Sequence, residues 1–254
     1  MRPVVLTIAG SDSGGGAGIQ ADLKTMAAHG VFGTSAITAI TAQNTVGVQA
    51  VHVLPVDVVT AQIVSVMSDL PVAAVKIGML ASADIVRAVH HALDDYTGPV
   101  VLDPVMVATS GDRLLSREAE QAIRQLATRA TVVTPNLPEA MVLAGSEDVD
   151  TIVQWARDHA VTLLLTGGDS PDEGFVADQL ITPNAHTVWR GDRISGGPFH
   201  GTGCSLSSAV ASRLALGNVS LSDACAGAVS WVQGNVREAL ALGHGSRVLP
   251  HTTV

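Results

Sequence analysis

Short apolar runs alternate with helical patterns along the chain, and this alternation is typical of α/β proteins. Apolar runs with the length of buried strands occupy residues 4–8, 35–41, 73–77, 100–102, 132–134 and 162–166. Helical patterns occupy residues 19–29, 56–68, 85–93, 118–127, 137–143, 204–216 and 221–242. A β-hairpin is predicted for residues 175–181 and 186–190. We therefore expect α/β architecture in one domain, residues 1–254, with a largely parallel central sheet and helices on both faces.

The composition fits such a sheet and argues against several classes of partner. Hydrophobic residues make up 47% of the 254 residues but aromatic residues only 3%, so Ala, Val, Leu and Ile must fill the core. The net charge of -9 argues against a nucleic-acid or acidic-membrane partner, which would need a basic face. No apolar run reaches the roughly 18 residues of a membrane span. No signal peptide opens the chain, so we expect a cytoplasmic protein.

Polar residues collect where the predicted strands end. Because ligands of such sheets bind beyond the carboxyl ends of the strands, these residues predict one shared cleft. They are, in chain order, Ser11 and Asp12, Gln43 and Asn44, Gly78 and Met79, Asp103, Asn136 and Glu139, and residues 166–169.

Residues 200–204 (HGTGC) run from a glycine turn into a predicted helix. Gly201 and Gly203 let the backbone bend without a Cβ penalty. A helix N-terminus offers unpaired N–H groups and a partial positive charge, which suit a phosphate. The same field is expected to lower the pKa of the Cys204 thiol. The segment therefore predicts an anion-binding cradle that contains a reactive thiol, and His200 beside it suits a structural or a catalytic role.

Residues 10–18 form a glycine-rich segment between the first strand and the first helix. Residues 16–21 match the dinucleotide-binding fingerprint, but the next strand ends in Gln43 and Asn44, where that motif needs an acidic residue. A Walker A loop is excluded because neither lysine of the chain follows a glycine. We expect a flexible loop whose backbone N–H groups approach a polar ligand.

Two carboxylates follow neighbouring predicted strands. Asp103 comes directly after residues 100–102, and Glu139 ends the segment 134–139 (TPNLPE). Such a pair suits Mg²⁺ beside a transferring phosphate, bound directly or through water. Asn136 and Glu139 also have the spacing of a capping box, and Glu139 can serve both purposes.

Taken in order, these motifs resemble the ribokinase-like superfamily and, within it, the hydroxymethylpyrimidine/phosphomethylpyrimidine kinases of thiamine biosynthesis. The resemblance covers nearly the whole chain and rests on residues 7–25, 38–45, 76–80, 103–106, 134–139 and 200–204. It implies a three-layer ribokinase-like fold with a minimal lid, for which the loop 109–116 is the best candidate flap. It also implies ATP-dependent phosphorylation of 4-amino-5-hydroxymethyl-2-methylpyrimidine, and then of its monophosphate to the diphosphate.

The resemblance implies a role for individual residues at the substrate. Gln43 takes the position that contacts the pyrimidine edge, where an amide can both donate and accept. The same pocket is lined by Asp12, Met79 and Val107. The anion hole is formed by Gly201, Thr202 and Gly203. Cys204 takes the position at which sugar kinases carry an aspartate base.

The nucleotide and metal positions follow from the same resemblance. ATP is implied at Asn136, Thr166 and Gly168, and Mg²⁺ at Asp103 and Glu139. Thr166 stands where the family commonly has a lysine that meets the ATP phosphates, so we expect weaker neutralisation of phosphate charge there. A second departure is the replacement of Asn-Thr by Pro-Phe at residues 198–199.

Two alternative functions stay open. Some close relatives phosphorylate pyridoxal or pyridoxine, which are also small flat rings with a hydroxymethyl group. Gln43 and Met79 favour the pyrimidine. Thr166 leaves open a non-catalytic nucleotide-binding protein on the same fold, although the two carboxylates and the thiol argue against it. We also expect a homodimer, for which the Ala-rich helices could supply the interface.

Overall fold

The computed structural model describes residues 2–106, 117–168 and 174–253. Its strands are β1 (Val4–Asp12), β2 (Phe32–Asn44), β3 (Gly47–Val53), β4 (Val72–Ile77), β5 (Val100–Leu102), β6 (Val132–Val133), β7 (Leu163–Leu165), β8 (Phe175–Ile181), β9 (His186–Asp192), β10 (Phe199–His200) and β11 (Arg247–Val248). Its helices are α1 (Gly18–Ala28), α2 (Val56–Asp69), α3 (Ala83–Ala92), α4 (Arg117–Ala127), α5 (Leu137–Ala144), α6 (Val149–Asp158), α7 (Thr202–Leu216) and α8 (Leu221–Arg237). Val107 and the proposed flap 109–116 lie outside the described residues.

The described strands form a nine-stranded sheet in the order β3-β2-β1-β4-β5-β6-β7-β8-β9, and β10 pairs separately with β11. The strands from β2 through β7 in this order are parallel to one another. β3 is antiparallel to β2, and β8 and β9 are antiparallel to their neighbours. The carboxyl ends of the six parallel strands therefore meet at one edge of the sheet.

Successive residues of the inner strands pack on opposite faces of the sheet. In β5, Val100 and Leu102 join an apolar cluster with helices α2 to α6, whereas Val101 joins a second cluster with α1, α7 and α8. This period of two, with helices on both faces, produces three layers. The predicted three-layer α/β fold is therefore confirmed.

Helix α7 packs against the sheet through small side chains. Its buried residues run without a break from Ser205 to Ser212 and include four serines. Small side chains let a helix approach a sheet closely, and the N-terminus of α7 thereby reaches the carboxyl ends of the strands. Because these residues are buried in the subunit, α7 does not offer them as the dimer interface suggested by its Ala-rich sequence.

The sequence pattern missed elements that lack a buried periodicity. Strand β3 lies at the sheet edge, and five of its seven residues are exposed. Helix α6 was also missed, although the side chain of Asp148 caps it by accepting a hydrogen bond from the N–H of Thr151 at 2.9 Å. Helix α8 ends at Arg237 rather than at 242, because the chain leaves the helix and Leu240 pairs with Val248.

Within the part of the chain that the structure describes, no helix combines the length and the apolar character needed to cross a membrane.

Candidate active site

A cavity of about 950 Å³ opens beyond the carboxyl ends of the parallel strands. All the predicted site residues that the structure describes line it: Asp12, Gln43, Met79, Asp103, Asn136, Glu139, Thr166, Gly168, Gly201, Thr202, Gly203 and Cys204. The strand ends and the N-terminus of α7 thus form the single cleft that the sequence predicted. Lining a cavity does not test a role, so the individual roles stay predictions.

The N-terminus of α7 faces this cavity. Gly201 is its N-cap residue, with φ of 81° and no side-chain cap. A Cβ at Gly201 would collide with the carbonyl oxygen of Gly16, so only glycine fits between the two loops. A side chain at Gly203 would come within 3.6 Å of Asp103 Oδ2. Thr202, Gly203 and Cys204 line the cavity, so the first N–H groups of α7, which have no partner within the helix, can bind an anion there.

The glycine-rich loop 13–17 is held by Asp12. Its carboxylate accepts hydrogen bonds from the N–H groups of Gly14, Gly16 and Ala17, at 2.8, 3.1 and 2.9 Å. Burial raises the pKa of Asp12, but its bonds to His200 and to this backbone outweigh burial and hold the pKa below its usual value. The expectation of a loop whose N–H groups point at a ligand is wrong for these three, because Asp12 binds them.

The end of the cavity assigned to the substrate lies between β1, β2 and β4. The Gln43 amide lies between His200 and Thr41. Its Nε2 is 3.2 Å from His200 Nε2, and its Oε1 is 2.9 Å from Thr41 Oγ1. The Met79 side chain lies against Gly10, where a Cβ would come within 2.9 Å of Met79 Cε. This end therefore combines one polar amide with a compact apolar wall.

A buried ion pair that the sequence reasoning missed lies beneath the cradle. Lys76 and Asp22 are both fully buried, and Lys76 Nζ donates to both carboxylate oxygens at 2.9 Å. Thr7 and Ser208 also donate to Asp22, at 2.6 and 2.7 Å. The signal was available, since each charge interrupts an otherwise apolar face of β4 or α1 and buried charges need partners.

Lys76 also lines the cavity and lies near Cys204 and Asp103. Burial lowers the pKa of Lys76, but the charge of Asp22 raises it and prevails, with smaller contributions from Cys204 and Asp103. Lys76 is therefore a fixed positive charge behind the cradle. A Cβ at Gly78 would come within 2.7 Å of Lys76 Nζ, so this glycine leaves room for the ammonium group.

The Cys204 thiol does not have the lowered pKa expected from its place at a helix N-terminus. Burial raises the pKa of Cys204 to about 12, and the charges of Asp103 and Asp22 add to that effect. Lys76 and the N–H of Gly18 act in the opposite direction and are outweighed. The lowered pKa expected from the sequence is therefore wrong, because desolvation of the thiolate exceeds its stabilisation by Lys76 and the N–H of Gly18.

Asp103 and Glu139 are both buried and both line the cavity. Burial raises the pKa of Asp103 to about 6 against the charge of Lys76, and Ser207 donates to its Oδ2 at 3.3 Å. Glu139 forms the predicted capping box: its Oε2 accepts from the N–H of Asn136 at 3.0 Å, and Asn136 Oδ1 accepts from the N–H of Glu139 at 2.9 Å.

The donor chemistry of these two carboxylates fits Mg²⁺, which prefers oxygen ligands and keeps several waters. Among the described residues, these two carboxylates have no third ligand-type side chain close enough to share an ion with both. The structure describes residues 2–106, 117–168 and 174–253. In these ranges, one group of three ligand-type side chains is close enough to share an ion: His90, His91 and Asp94. This group lies outside the cavity.

The opposite end of the cavity lies between β7, β8 and α8. Thr166 and Gly168 both line this end. Arg193 Nη1 donates a hydrogen bond to the carbonyl oxygen of Gly168 at 3.0 Å. The buried carboxylate of Asp178 accepts from the N–H of Gly167 at 3.0 Å, and burial raises the pKa of Asp178. An apolar wall follows, made of Ile194, Val229, Val232 and Val236.

Sequence reasoning missed Arg193 and this apolar wall, because neither belongs to a glycine-rich motif or follows a predicted parallel strand. Together they give this end of the cavity a cationic side chain and an apolar lining. The replacement at residues 198–199 has a visible consequence too, since Phe199 begins β10 and pairs with Arg247 of β11.

Comparison with known proteins agrees with this geometry. The family model described as phosphomethylpyrimidine kinase matches residues 12–250. The chain is 45% identical to the hydroxymethylpyrimidine/phosphomethylpyrimidine kinase of Streptomyces coelicolor, over 98% of this chain and 94% of the relative. It is also 45% identical to the thiamine biosynthesis multifunctional protein ThiED of Corynebacterium efficiens, and spans 36% of the length of that relative.

Two solved structures are similar over most of their length. The ADP complex of Bacillus subtilis pyridoxal kinase has a TM-score of 0.90 at 34% identity and covers 99% of this chain and 98% of its own. The phosphomethylpyrimidine kinase of Clostridium difficile has a TM-score of 0.79 at 38% identity, with 92% and 99% covered. These similarities confirm the predicted ribokinase-like fold.

Proposed function

This chain belongs to the phosphomethylpyrimidine kinase family, and we propose that it uses ATP to phosphorylate 4-amino-5-hydroxymethyl-2-methylpyrimidine. We propose further that it phosphorylates the resulting monophosphate to the diphosphate, as a step of thiamine biosynthesis. The names of the relatives that span most of their own length support both steps. Because the reaction consumes ATP, we infer that it takes place in the cytoplasm.

One observation of the structure carries the proposal. The N-terminus of α7 lines the cavity, with Gln43 at the end of β2 on one side and Gly168 after β7 on the other. A ring bound at Gln43 and a nucleotide bound at Gly168 would direct their reacting groups toward the same N–H groups. Phosphoryl transfer depends mainly on such positioning and on neutralisation of charge.

Each part of the cavity has a proposed task. The N–H groups of Thr202, Gly203 and Cys204 bind the oxygens of the transferring group, and Lys76 contributes positive charge from behind. Asp103 and Glu139 would hold Mg²⁺, directly or through water, and the ion would supply further neutralisation of phosphate charge. Ring and nucleotide are bound by the residues assigned above: Gln43, Asp12, Met79 and Val107 for the ring, and Asn136, Thr166 and Gly168 for ATP.

Cys204 is the proposed acceptor of the hydroxymethyl proton. Its position at the cradle supports this role, whereas its high pKa keeps it protonated when the cavity holds no ligand. A thiol can accept a proton only after it has lost its own, so the proposed base acts in the small thiolate fraction. Proton transfer to a positioned base contributes about 10²- to 10⁴-fold to such reactions.

Pyridoxal phosphorylation is the second candidate function. The observation that favours it is the TM-score of 0.90 with the B. subtilis pyridoxal kinase, at 34% identity. Pyridoxal also carries a hydroxymethyl group on a small aromatic ring, so the same cradle could serve it. The pyrimidine stays the first choice because the relatives named for it reach 43–45% identity over 95–98% of this chain.

The test is a product assay with Mg-ATP and each ring alone, followed by mass spectrometry. We expect the pyrimidine monophosphate first and the diphosphate after it. Pyridoxal phosphate as the sole product would refute the choice of substrate. Pyrimidine monophosphate without diphosphate would refute the second step, and no product with either ring would favour a non-catalytic nucleotide-binding protein.

We infer a homodimer whose interface is the face formed by β2, β3 and the start of α2, here called the edge face. It exposes the large apolar side chains of Ile40, Val51, Val53, Val56 and Val58. β3 is the terminal strand of the sheet formed by the described residues, and none of the described strands pairs with its outer edge. A second copy across a two-fold axis would cover both the apolar side chains and this strand edge.

A further inference from the structure

His200 lies between the glycine-rich loop and the residue assigned to the pyrimidine edge. Its side chain is buried, and Nε2 is 2.9 Å from Asp12 Oδ2 and 3.2 Å from the amide nitrogen of Gln43. His200 directly precedes the cradle and lines the cavity. The proton on Nε2 therefore bears on how the Gln43 amide is oriented.

The two neighbours of His200 Nε2 make incompatible demands if the amide nitrogen faces it. The Asp12 carboxylate is ionised and can only accept, so Nε2 must carry a proton. A protonated Nε2 cannot accept a bond from the Gln43 NH₂ group. A rotation of the amide by 180° places its oxygen beside Nε2, where it can share the Nε2 proton with Asp12 Oδ2 in a three-centre hydrogen bond, and this removes the conflict. Such rotations are assigned from the surrounding network.

The other side of the amide leads to the same assignment. Thr41 Oγ1 lies 3.0 Å from the carbonyl oxygen of Ser11 and 2.9 Å from the Gln43 amide. The Ser11 carbonyl can only accept, and when Thr41 donates its single proton there, Thr41 Oγ1 can only accept from the Gln43 nitrogen. Both contacts therefore select one orientation, with the Gln43 oxygen toward His200 and the nitrogen toward Thr41.

The backbone of Gln43 is fixed as well. Its N–H donates to Ser13 Oγ at 2.8 Å, and Ser13 Oγ donates to its carbonyl oxygen at 2.8 Å. With the amide oriented by His200 and Thr41, one N–H and one oxygen lone pair of Gln43 remain for the cavity. They form a donor and an acceptor in a set order, which complements a ring nitrogen beside an amino group.

We propose that His200 is a positioning residue that fixes the orientation of the Gln43 amide and thereby makes the enzyme select an aminopyrimidine over the same ring without its amino group. The inference rests on the proposed function, since it concerns how the proposed substrate is recognised. A site built to pair with a substrate amino group discriminates strongly against an analogue that lacks it. That discrimination requires an amide that cannot turn.

The experiment compares two rings, 4-amino-5-hydroxymethyl-2-methylpyrimidine and its analogue without the amino group. His200→Leu removes the donor, and His200→Gln keeps an N–H donor near the position of Nε2. We expect His200→Leu to raise the KM for the aminopyrimidine about tenfold and to reduce the preference for it by a similar factor. The KM for ATP should stay within about twofold, and His200→Gln should restore most of the preference.

Three further variants make the result specific. His251→Gln is the matched control, because His251 is a buried histidine bonded to Ser205 at 3.0 Å and does not line the cavity; its preference should equal that of the wild type. Thr41→Val should reduce the preference as His200→Leu does, and it supplies the test if that variant does not fold. In a Gln43→Ala background, His200→Leu should cause no further loss of preference.

An unchanged preference in both His200→Leu and Thr41→Val overturns the inference. An equal loss of kcat with both rings also overturns it, because His200 would then act on the cradle. Calorimetric binding of the two rings separates this inference from the proposed function. A binding preference that disappears in His200→Leu supports the inference even if the wild type phosphorylates neither ring, and equal wild-type binding of both rings overturns it.

Discussion

At the scale of single residues, Cys204 shows two physical effects in competition. The charge of Lys76 and the N–H of Gly18 stabilise a thiolate, and burial destabilises one by more, so the pKa of Cys204 lies at about 12. The proposed base is thus protonated in the free enzyme at neutral pH. Its contribution to turnover therefore comes from its position at the cradle and is limited to the small fraction of the enzyme in which Cys204 is a thiolate.

Replacement of this thiol tests that contribution. We expect Cys204→Ala to lower kcat by about 10²-fold or more, with little change in the KM for ATP, because a proton acceptor acts in the transition state and not in nucleotide binding. Steady-state kinetics with both substrates give the two parameters. Cys225→Ala is the matched control, since Cys225 is buried in the core away from the cavity. Near-normal turnover of Cys204→Ala would end the assignment.

Thr166 is a second position at which one side chain is expected to affect the binding of the ATP phosphates. We expect Thr166→Lys to lower the KM for ATP severalfold, because an ammonium group binds phosphate oxygens more strongly than a hydroxyl does. The measurement is the KM for ATP at saturating ring substrate. Thr128→Lys adds the same charge at an exposed site outside the cavity and should leave the KM unchanged. An equal KM for Thr166→Lys and the wild type would count against a phosphate contact.

The residue scale also shows what a sequence can predict of this site. The positions of Gly201, Cys204 and Asp103 at the cavity were predictable, because glycines and a strand end mark them in the local sequence. The contacts of Lys76 with Asp22 and of His200 with Gln43 were not, since these pairs are 54 and 157 residues apart and partner choice depends on packing. The pKa of Cys204 was predicted in the wrong direction, because burial cannot be read from its neighbours in the sequence.

At the scale of secondary-structure elements, the Lys76–Asp22 pair joins parts of the fold that carry the site. Lys76 is on β4 and Asp22 on α1, while Thr7 of β1 and Ser208 of α7 bond the same carboxylate. Four elements are therefore linked through one buried charge. The pair fixes α7 against the sheet at the level of the cradle.

Removal of one partner should be costly for stability. We expect Lys76→Met to lower the free energy of unfolding by about 3–5 kcal/mol, because it leaves the Asp22 carboxylate buried and unpaired. Urea denaturation measures this change. Lys24→Met replaces the other, exposed lysine and serves as control. Adding Asp22→Asn to Lys76→Met should recover part of the loss, and a small loss in Lys76→Met would contradict the account.

The segment after α8 also depends on a buried titratable group. His251 packs against α7 and α8, and burial lowers its pKa from 6.5 to about 4. The unfolded chain therefore takes up a proton near pH 6.5, whereas the folded chain does so only near pH 4, and stability falls as the pH drops through this interval. At pH 5 the loss should be about 2 kcal/mol.

Urea denaturation of the wild type and of His251→Gln at pH 7.5 and pH 5 measures this loss. Subtracting the free energy of unfolding of the variant from that of the wild type at each pH removes the contribution of carboxylates that titrate in both proteins. The wild type should lose more stability than the variant between the two pH values. Equal losses would show that His251 does not remain neutral in the folded protein.

At the scale of the whole molecule, the inner strands of the sheet were more predictable than its edge strand β3. The strand from 100–102 and the hairpin strand from 175–181 were predicted to the residue, because buried strands and hairpins have strong local patterns. β3 was missed because a strand at the sheet edge needs no buried face. The edge face that it helps to form also could not be foreseen from the Ala-rich helices.

The edge face yields a prediction about assembly. We expect the protein to sediment at twice the mass of one chain, and Val51→Lys combined with Val53→Lys to sediment as a monomer, because two charges on an apolar interface oppose its burial. Val188→Lys is the matched control, since Val188 is equally exposed on β9 at the other end of the sheet. A wild-type monomer, or a monomer caused by the control, would contradict this interface.

The place of β1 between β2 and β4 in the sheet has a consequence for the order of folding. Its neighbours β2 and β4 lie within the first 77 residues, whereas the bonds that complete the site join Asp12 to His200 and Asp22 to Ser208, 188 and 186 residues apart. Contacts so distant along the chain carry a loop-closure cost and tend to form late. During synthesis the first strands can pair before α7 exists. We therefore expect recovery of activity on refolding to report the docking of α7 and not the formation of the sheet.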